Sequence, residues 1–357
     1  MSRRRLLLAA LLGGPAAWGA WDSLAAAPAP PRLPAAPPAP LPGWAREEWP
    51  LFRDRFIRDG RVVDTGNQDI SHSEGQGWGL LLAERCGDAA CFRALLDWTR
   101  RHLARGDGLH AWRHRPGRPR DADDANNATD GDLFIAWALL RAERRWPGEG
   151  HAAQAGRIAA AVLERLVQHE AGRLLLLPAS SGFVHGDRVV VNPSYYVWPA
   201  IRALAAARPD PRWARLEADG LALLRMARFG SHGLVPDWLA VPRGAGRLHP
   251  ATGWPPRFGY DAVRLPLWLA WAGLEQEPAH RAAAALWRDR PALPAWVDLG
   301  TGRQSPYAGS QGVAAVAALA RAPDQPPLFP SIRGERDYYA AALTLLARSA
   351  WDERRAA

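Results

Sequence analysis

From residue 44 onward, apolar side chains recur at three- and four-residue spacing in eleven successive segments: 47–56, 76–84, 89–103, 132–145, 151–170, 193–207, 211–227, 261–273, 278–288, 311–322 and 335–349. That spacing gathers the apolar groups of a helix into one stripe. Glycine- and proline-rich loops separate the segments, with short extended pieces such as "RLLLLPA" and "RVVVNPS". Each helix has a stripe to bury, and helices joined in sequence do so by folding back in hairpins that close into a ring. The expectation is therefore an all-α chain, an (α/α) barrel. A helical solenoid would also bury the stripes, but solenoids carry a fixed repeat period, and none is visible. With 357 residues, the chain is long enough for a large core.

The N-terminus reads differently. "MSRRRLLLAALLGGPAAWGAWDSLAAAPAP" has a basic head, a short apolar run and small residues at Ala25, Ala26 and Ala27. This is the layout of a signal peptide over residues 1–27, and "SRRRLLL" loosely resembles a twin-arginine signal. Residues 28–43, "PAPPRLPAAPPAPLPG", form a proline-rich spacer that cannot lie inside a helix or sheet. The folded domain is expected over 44–350, in a protein that is periplasmic or secreted. No later stretch is long and apolar enough to span a bilayer. The formal charge is +9, but its arginines are scattered among apolar positions, which argues against nucleic acid as a partner. Cys86 and Cys91 are the only cysteines. Export would permit a disulfide between them, two free thiols are the alternative, and two cysteines alone make a structural zinc site a poor fit.

Three acidic positions stand out. "ISHSEGQGWGL" sets Glu74 among serines, glycines and a tryptophan, and "SHSE" and "SEGQ" both read as capping boxes. "NNATDGDLFIAW" places Thr129, Asp130 and Asp132 before a strongly periodic helix, and "RFGYDAVRLPLW" places Asp261 before another. An acid at a helix N-terminus is commonly a cap or a dipole partner. Here small and aromatic residues surround each acid. If these helices line a barrel, their N-termini share one rim and the three carboxylates converge. Like charges and apolar walls then push carboxyl pKa values apart, giving one acid and one base. The chain also carries 18 tryptophans, a residue suited to flat ligands such as sugars as well as to cores.

"SEGQGWG", "ATDGDLFIAWALL", "NPSYY", "LVPDW" and "YDAVRLPLWLAW" resemble, in order and spacing, glycoside hydrolase family 8 over residues 44–345. The similarity is greatest to secreted endoglucanases associated with bacterial cellulose synthases. The resemblance implies an (α/α)6 barrel with an open groove. It also implies hydrolysis of a β-1,4-glucan without a metal or other cofactor, by single displacement with inversion, and a link to the cellulose synthase machinery. Carried over by position, Glu74 would be the general acid and Asp261 the base. Asp130 would hold the reacting sugar and help order the water, or serve as the second catalytic carboxylate. Tyr195 and Arg264 would be polar supports near the base, and Trp112 of "HAWRH" a sugar platform. The chain departs from the family at Gly77 and Trp78, where Ser-Tyr is common, and at Leu80, where Met is common.

The chemistry is consistent with the residues themselves. A glycosidic bond needs a proton on its leaving oxygen and an activated nucleophile on the opposite face, which two carboxyls supply. Trp78, Trp112, Trp198, Trp238 and Trp254 sit in or near the motif loops as candidate sugar platforms, with Asp237 beside Trp238 as a further candidate contact. Trp137, Trp268 and Trp271 fall inside helices and read as core. Three rival readings remain: a non-catalytic glucan-binding protein, a xylanase or mixed-linkage glucanase of the same family, and a polysaccharide lyase using "SYY" with arginine. The intact acids at 74, 130 and 261 argue against the first.

Overall fold

The computed structural model describes residues 40–118, 124–288, 292–321 and 326–356. The expected signal peptide, and the spacer up to residue 39, lie outside the described residues. The helices are α1 (Ala45–Phe56), α2 (Ser73–Arg85), α3 (Ala89–His102), α4 (Thr129–Arg145), α5 (His151–Arg165), α6 (Trp198–Ala207), α7 (Pro211–Met226), α8 (Leu265–Trp271), α9 (Pro278–Trp287), α10 (Gln311–Arg321) and α11 (Tyr338–Ala356). Among the described residues, α2, α4, α6, α8, α10 and α11 touch in ring order, and α11 closes back on α2. Outside this ring, α3 packs on α2, α5 on α4, α7 on α6, α9 on α8 and α1 on α11. This is the expected (α/α)6 toroid of helical hairpins. No helix of the described residues is long and apolar enough to cross a membrane.

Burial follows position in the ring. Every residue of α2 from Gly75 to Arg85 is buried, as is every residue of α4 from Thr129 to Leu140. A helix enclosed on all sides is apolar all round, which is what "GLLLA" and "LFIAWALL" supply. The outer helices α3, α5 and α7 bury one stripe only. At the C-terminal ends of the inner helices, charges are paired rather than omitted. Arg141 meets Glu84 at 2.5 Å and Glu353 at 2.7 Å, Arg145 meets Glu84 at 2.7 Å, and the Trp271 indole donates to Glu353 at 2.8 Å. This network ties the ends of α2, α4, α8 and α11 together on the side away from the acids.

Several expected helix bounds change. The segment 151–170 ends its helix at Arg165. Val167–Glu170 is strand β1, paired antiparallel with β2 (Arg173–Leu176), and the two-residue turn has positive φ at Ala171 and Gly172, the hairpin geometry that matches strand twist. The segment 193–207 is a 3-10 turn at Pro193–Tyr195 followed by α6. Pro199 has no N–H for a carbonyl one turn earlier, so a helix cannot run through it. Pro266 has the same effect at 261–273, where a 3-10 turn (Ala262–Arg264) precedes α8. Finally, α2 and α4 begin three residues earlier than expected, which places Glu74 and Asp130 inside first turns.

The α2 cap also differs from the expected capping box. The His72 ring accepts from Gly75 N at 3.0 Å, while the Ser71 hydroxyl donates to Val62 O at 2.5 Å. Cys86 and Cys91 are free thiols, and burial pushes both to about 12.

Candidate active site

The ring brings the acids together. Glu74 lies in the first turn of α2, Asp130 in the first turn of α4, and Asp261 at the head of the 3-10 turn that feeds α8. One guanidinium joins them. Arg264 Nη1 contacts Glu74 Oε1 and lies 3.4 Å from Asp130 Oδ2, while its Nη2 lies 2.6 Å from Asp261 Oδ1. The same Nη2 donates to Ser194 Oγ at 2.8 Å. Ser194 is held in turn by Asn192, whose Oδ1 accepts from both its hydroxyl and its backbone N–H. Arg264 is 3% exposed, and a planar five-donor fork is well suited to such a hub. The Tyr195 ring stands 5.8 Å from its guanidinium carbon.

The small residues around Glu74 turn out to serve helix packing. A Cβ added at Gly131 would lie 2.1 Å from Ser73 Oγ, 2.6 Å from Ser73 Cβ and 2.8 Å from Glu74 N. Glycine thus lets the start of α4 press against the start of α2, and this contact sets Asp130 beside Glu74. Asp132 is a structural anchor. It accepts from His110 N and His110 Nδ1, each at 2.9 Å, and from Asn127 Nδ2 at 3.0 Å. That fixes the strand-like run carrying Trp112, whose carbonyl accepts from Ser73 N at 2.9 Å.

Three carboxylates around one guanidinium leave an excess of negative charge, so the cluster favours holding a proton. Burial, reinforced by the charge of Asp132, raises Asp130 to about 7. Burial and the neighbouring charges of Asp237 and Asp130 push Asp261 well above the usual carboxylate range. Arg264 opposes that rise, and 28% of the Asp261 side chain remains open to solvent, which tempers it. Tyr195 is raised well above 10 by burial and by the charges of Asp130 and Asp261, so its phenol stays protonated and can donate.

Several expected contacts are not at the surface. Trp78 and Trp198 are fully buried. Trp78 packs against Phe134, Trp268, Tyr338 and Tyr339, and Trp198 stacks on Tyr196. Both are therefore barrel core and not sugar platforms. The reason is that α2 and α6 are inner helices, enclosed from the start: Trp78 stands in the second turn of α2 and Trp198 is the first residue of α6. Asp237 is likewise not placed to touch a substrate. It is 4% exposed, and its Oδ1 accepts from Gly259 N, Asp261 N and Ala262 N at 2.9, 3.2 and 2.8 Å.

Trp112 and Trp238 are half-buried, as is Trp254. Trp112 donates to Asp124 at 2.9 Å, and Arg113 covers one face of its ring at 4.4 Å. Trp238 clusters with Phe183 (5.5 Å) and Trp254 (4.9 Å), whose own rings are 6.4 Å apart. Trp137 and Trp268 are core as expected. Trp271 is partly buried, its ring 5.0 Å from Trp137.

Ser194, Asn192 and Tyr339 belong to the site but escaped the sequence reading. The first two lie in "VNPSYY", where an Asn-Pro-Ser turn before a helix was the available signal. The exposed Tyr260, beside Asp261, hydrogen-bonds Tyr307 OH at 2.9 Å. That pairing joins segments 47 residues apart and leaves no local trace.

Comparison with known proteins agrees with this fold. A probable endoglucanase of Novacetimonas hansenii is 42% identical over 86% of this chain and 91% of its own length. An endoglucanase of Cellulomonas uda is 39% identical, covering 77% of each. Among solved structures, an endo-β-1,4-glucanase from Acetobacter xylinum superposes with a TM-score of 0.83 at 41% identity, covering 87% of this chain and 98% of that one. Residues 40–353 match the family described as glycosyl hydrolases family 8, and with the carboxylate cluster set at the rim of an (α/α)6 toroid, the chain belongs to that family.

Proposed function

We propose that this enzyme is an endo-acting β-1,4-glucanase that cleaves by a single displacement with inversion. The observation that carries the reading is the joining of Glu74, Asp130 and Asp261 by Arg264 at one rim of the barrel. Similarity to endoglucanases over most of the chain supports the substrate class.

Glu74 protonates the leaving glycosidic oxygen. To do so it gives up its contact with Arg264 and carries a proton when the sugar enters. Asp261, which reaches the surface, takes a proton from water as that water attacks the anomeric carbon from the opposite face. Asp130, almost wholly enclosed, holds the reacting sugar and helps order the water. Tyr195 donates toward the charge that Asp261 carries, and Trp112 and Trp238 offer aromatic surface to neighbouring sugars.

Proton NMR of fresh product from a soluble β-1,4-glucan should show the α-anomer first. Glu74→Gln and Asp261→Asn should each lose activity by about 10²–10⁴-fold or more. If the β-anomer came first, or if Asp261→Asn stayed active while Asp130→Asn were dead, the assignment would be wrong.

The protein is also proposed to be exported, with its mature form starting near Pro28 in the periplasm or outside the cell. The charged head, apolar run and alanine cluster of residues 1–27 support this. Work beside a cellulose synthase fits the resemblance to endoglucanases associated with such synthases.

A further inference from the structure

We propose that Asp237 is a positioning residue for Asp261, holding the turn at 259–262 by three backbone amides and setting a second negative charge beside the base. The inference rests on Asp261 being the base.

The geometry is unusually specific. One carboxylate oxygen accepts from the N–H groups of Gly259, Asp261 and Ala262. The other accepts from Arg257 Nε at 3.3 Å, and Asp237 N donates to Arg257 O at 2.8 Å. Asp261 is thus a short side chain on a backbone amide that is itself anchored. The fit leaves no slack, because a Cβ on Gly259 would lie 2.8 Å from Asp237 Oδ2 and 3.0 Å from Arg257 Nε. An uncharged acceptor such as an asparagine carbonyl could satisfy the same three amides. The carboxylate adds charge, and it adds it next to Asp261, whose proton affinity the Asp237 charge raises and the Arg257 charge lowers. Other charged and titratable groups face Asp261 too: Arg264 from its own turn, Asp130 from α4, Tyr195, and Tyr339 from α11. Of these groups, Tyr339 and Arg264 also bond the turn, but through the Tyr260 and Asp261 carbonyls, whereas Asp237 takes its backbone N–H groups. A stronger base takes the proton from water more readily, so the second carboxylate serves the reaction while burdening the fold.

The test is the pH dependence of kcat/KM on a soluble β-1,4-glucan, whose acid limb reports ionisation of the base in the free enzyme. Removing the negative neighbour with Asp237→Asn makes Asp261 easier to ionise, so the limb should move to lower pH by roughly one unit. The plateau kcat should fall several-fold with KM little changed. Arg257→Gln removes the positive neighbour and should move the limb the other way, to higher pH. It lies on a partly exposed side chain and provides the test if Asp237→Asn does not fold. A purely structural role would lower the melting temperature and leave the limb in place. An unmoved limb in a folded Asp237→Asn variant, or a limb moving down in Arg257→Gln, overturns the inference. Asp261→Asn is measured alongside: if it is inactive, that failure belongs to Asp237 alone, and if it is active, the base assignment itself has failed.

Discussion

Replacing Gly131 with alanine should cost the enzyme far more activity than stability. The added methyl would sit 2.6 Å from Ser73 Cβ and 2.8 Å from Glu74 N, with Ser73 Oγ at 2.1 Å. The hydroxyl can rotate away, but Ser73 Cβ and Glu74 N are fixed to the backbone of α2. Carbon atoms pack best at roughly 3.5–4.0 Å, so the start of α2 must retreat by about 1 Å. Overpacking of this kind typically costs about 1–3 kcal/mol, and alanine recovers up to about 1 kcal/mol of helix propensity over glycine. The net loss is about 0–2 kcal/mol, a few degrees in melting temperature for a domain of this size.

Activity responds differently, because Glu74 rides on the part that moves. A misplacement of about 1 Å can cost on the order of 10²-fold. The assay is kcat on a soluble β-1,4-glucan beside a thermal melt of the same preparation. A drop of roughly two decades in kcat with a melt shifted by only a few degrees is expected. Wild-type kcat in a folded Gly131→Ala protein would refute the view that the α2–α4 contact sets the acid.

The tryptophans separate by the same logic. Trp78→Ala and Trp198→Ala should each destabilise by about 3–5 kcal/mol, seen in chemical denaturation, whereas Trp112→Ala should keep its stability and raise KM; a raised KM without destabilisation in Trp78→Ala would return that residue to the groove. Asp130→Asn should be more stable than the parent at pH 8 although less active. With its folded pKa raised from the usual 3.8 to about 7, Asp130 contributes most to stability below the lower value, and that contribution is lost as pH rises through the higher one. Melts from pH 4 to pH 8 should therefore diverge upward, and an advantage for the variant that grew toward pH 4 would contradict the burial argument. Mass spectrometry of protein recovered outside the cytoplasm should find a mature form beginning near Pro28, and recovery only of the intact Met1 form from the cytoplasm would exclude export.

Much of the molecule was legible because its signals are local. Apolar spacing located all eleven helices of the described residues, and the extended runs "RLLLLPA" and "RVVVNPS" both contain strands, β2 and β3 (Arg188–Val191). Errors of extent came at Val167, Pro199 and Pro266, where a strand or a missing N–H interrupted a pattern that still looked helical. Glu74, Asp130 and Asp261 could be picked out as acids at helix starts, and a ring of helices with N-termini on one rim was enough to expect them together.

What tertiary structure alone decided is which way each side chain faces and what it meets. Trp78 and Trp112 look equally suited to a sugar, yet one is sealed in the core and the other is half-buried, because one stands on an inner helix and the other on a strand-like run at the rim. Asp237 and Asp261 are 24 residues apart, and only the fold lays the first under the backbone of the second. Arg264 could be read as a neighbour of Asp261, three residues on. That it also reaches Glu74 and Asp130, 190 and 134 residues away in the chain, follows from ring closure. The sequence determined the helices and their apolar faces, since these depend on spacing within a few residues. The charge balance of the site had to await the fold, since Coulomb energy depends on distance in space and on burial, and neither is written in the order of the residues.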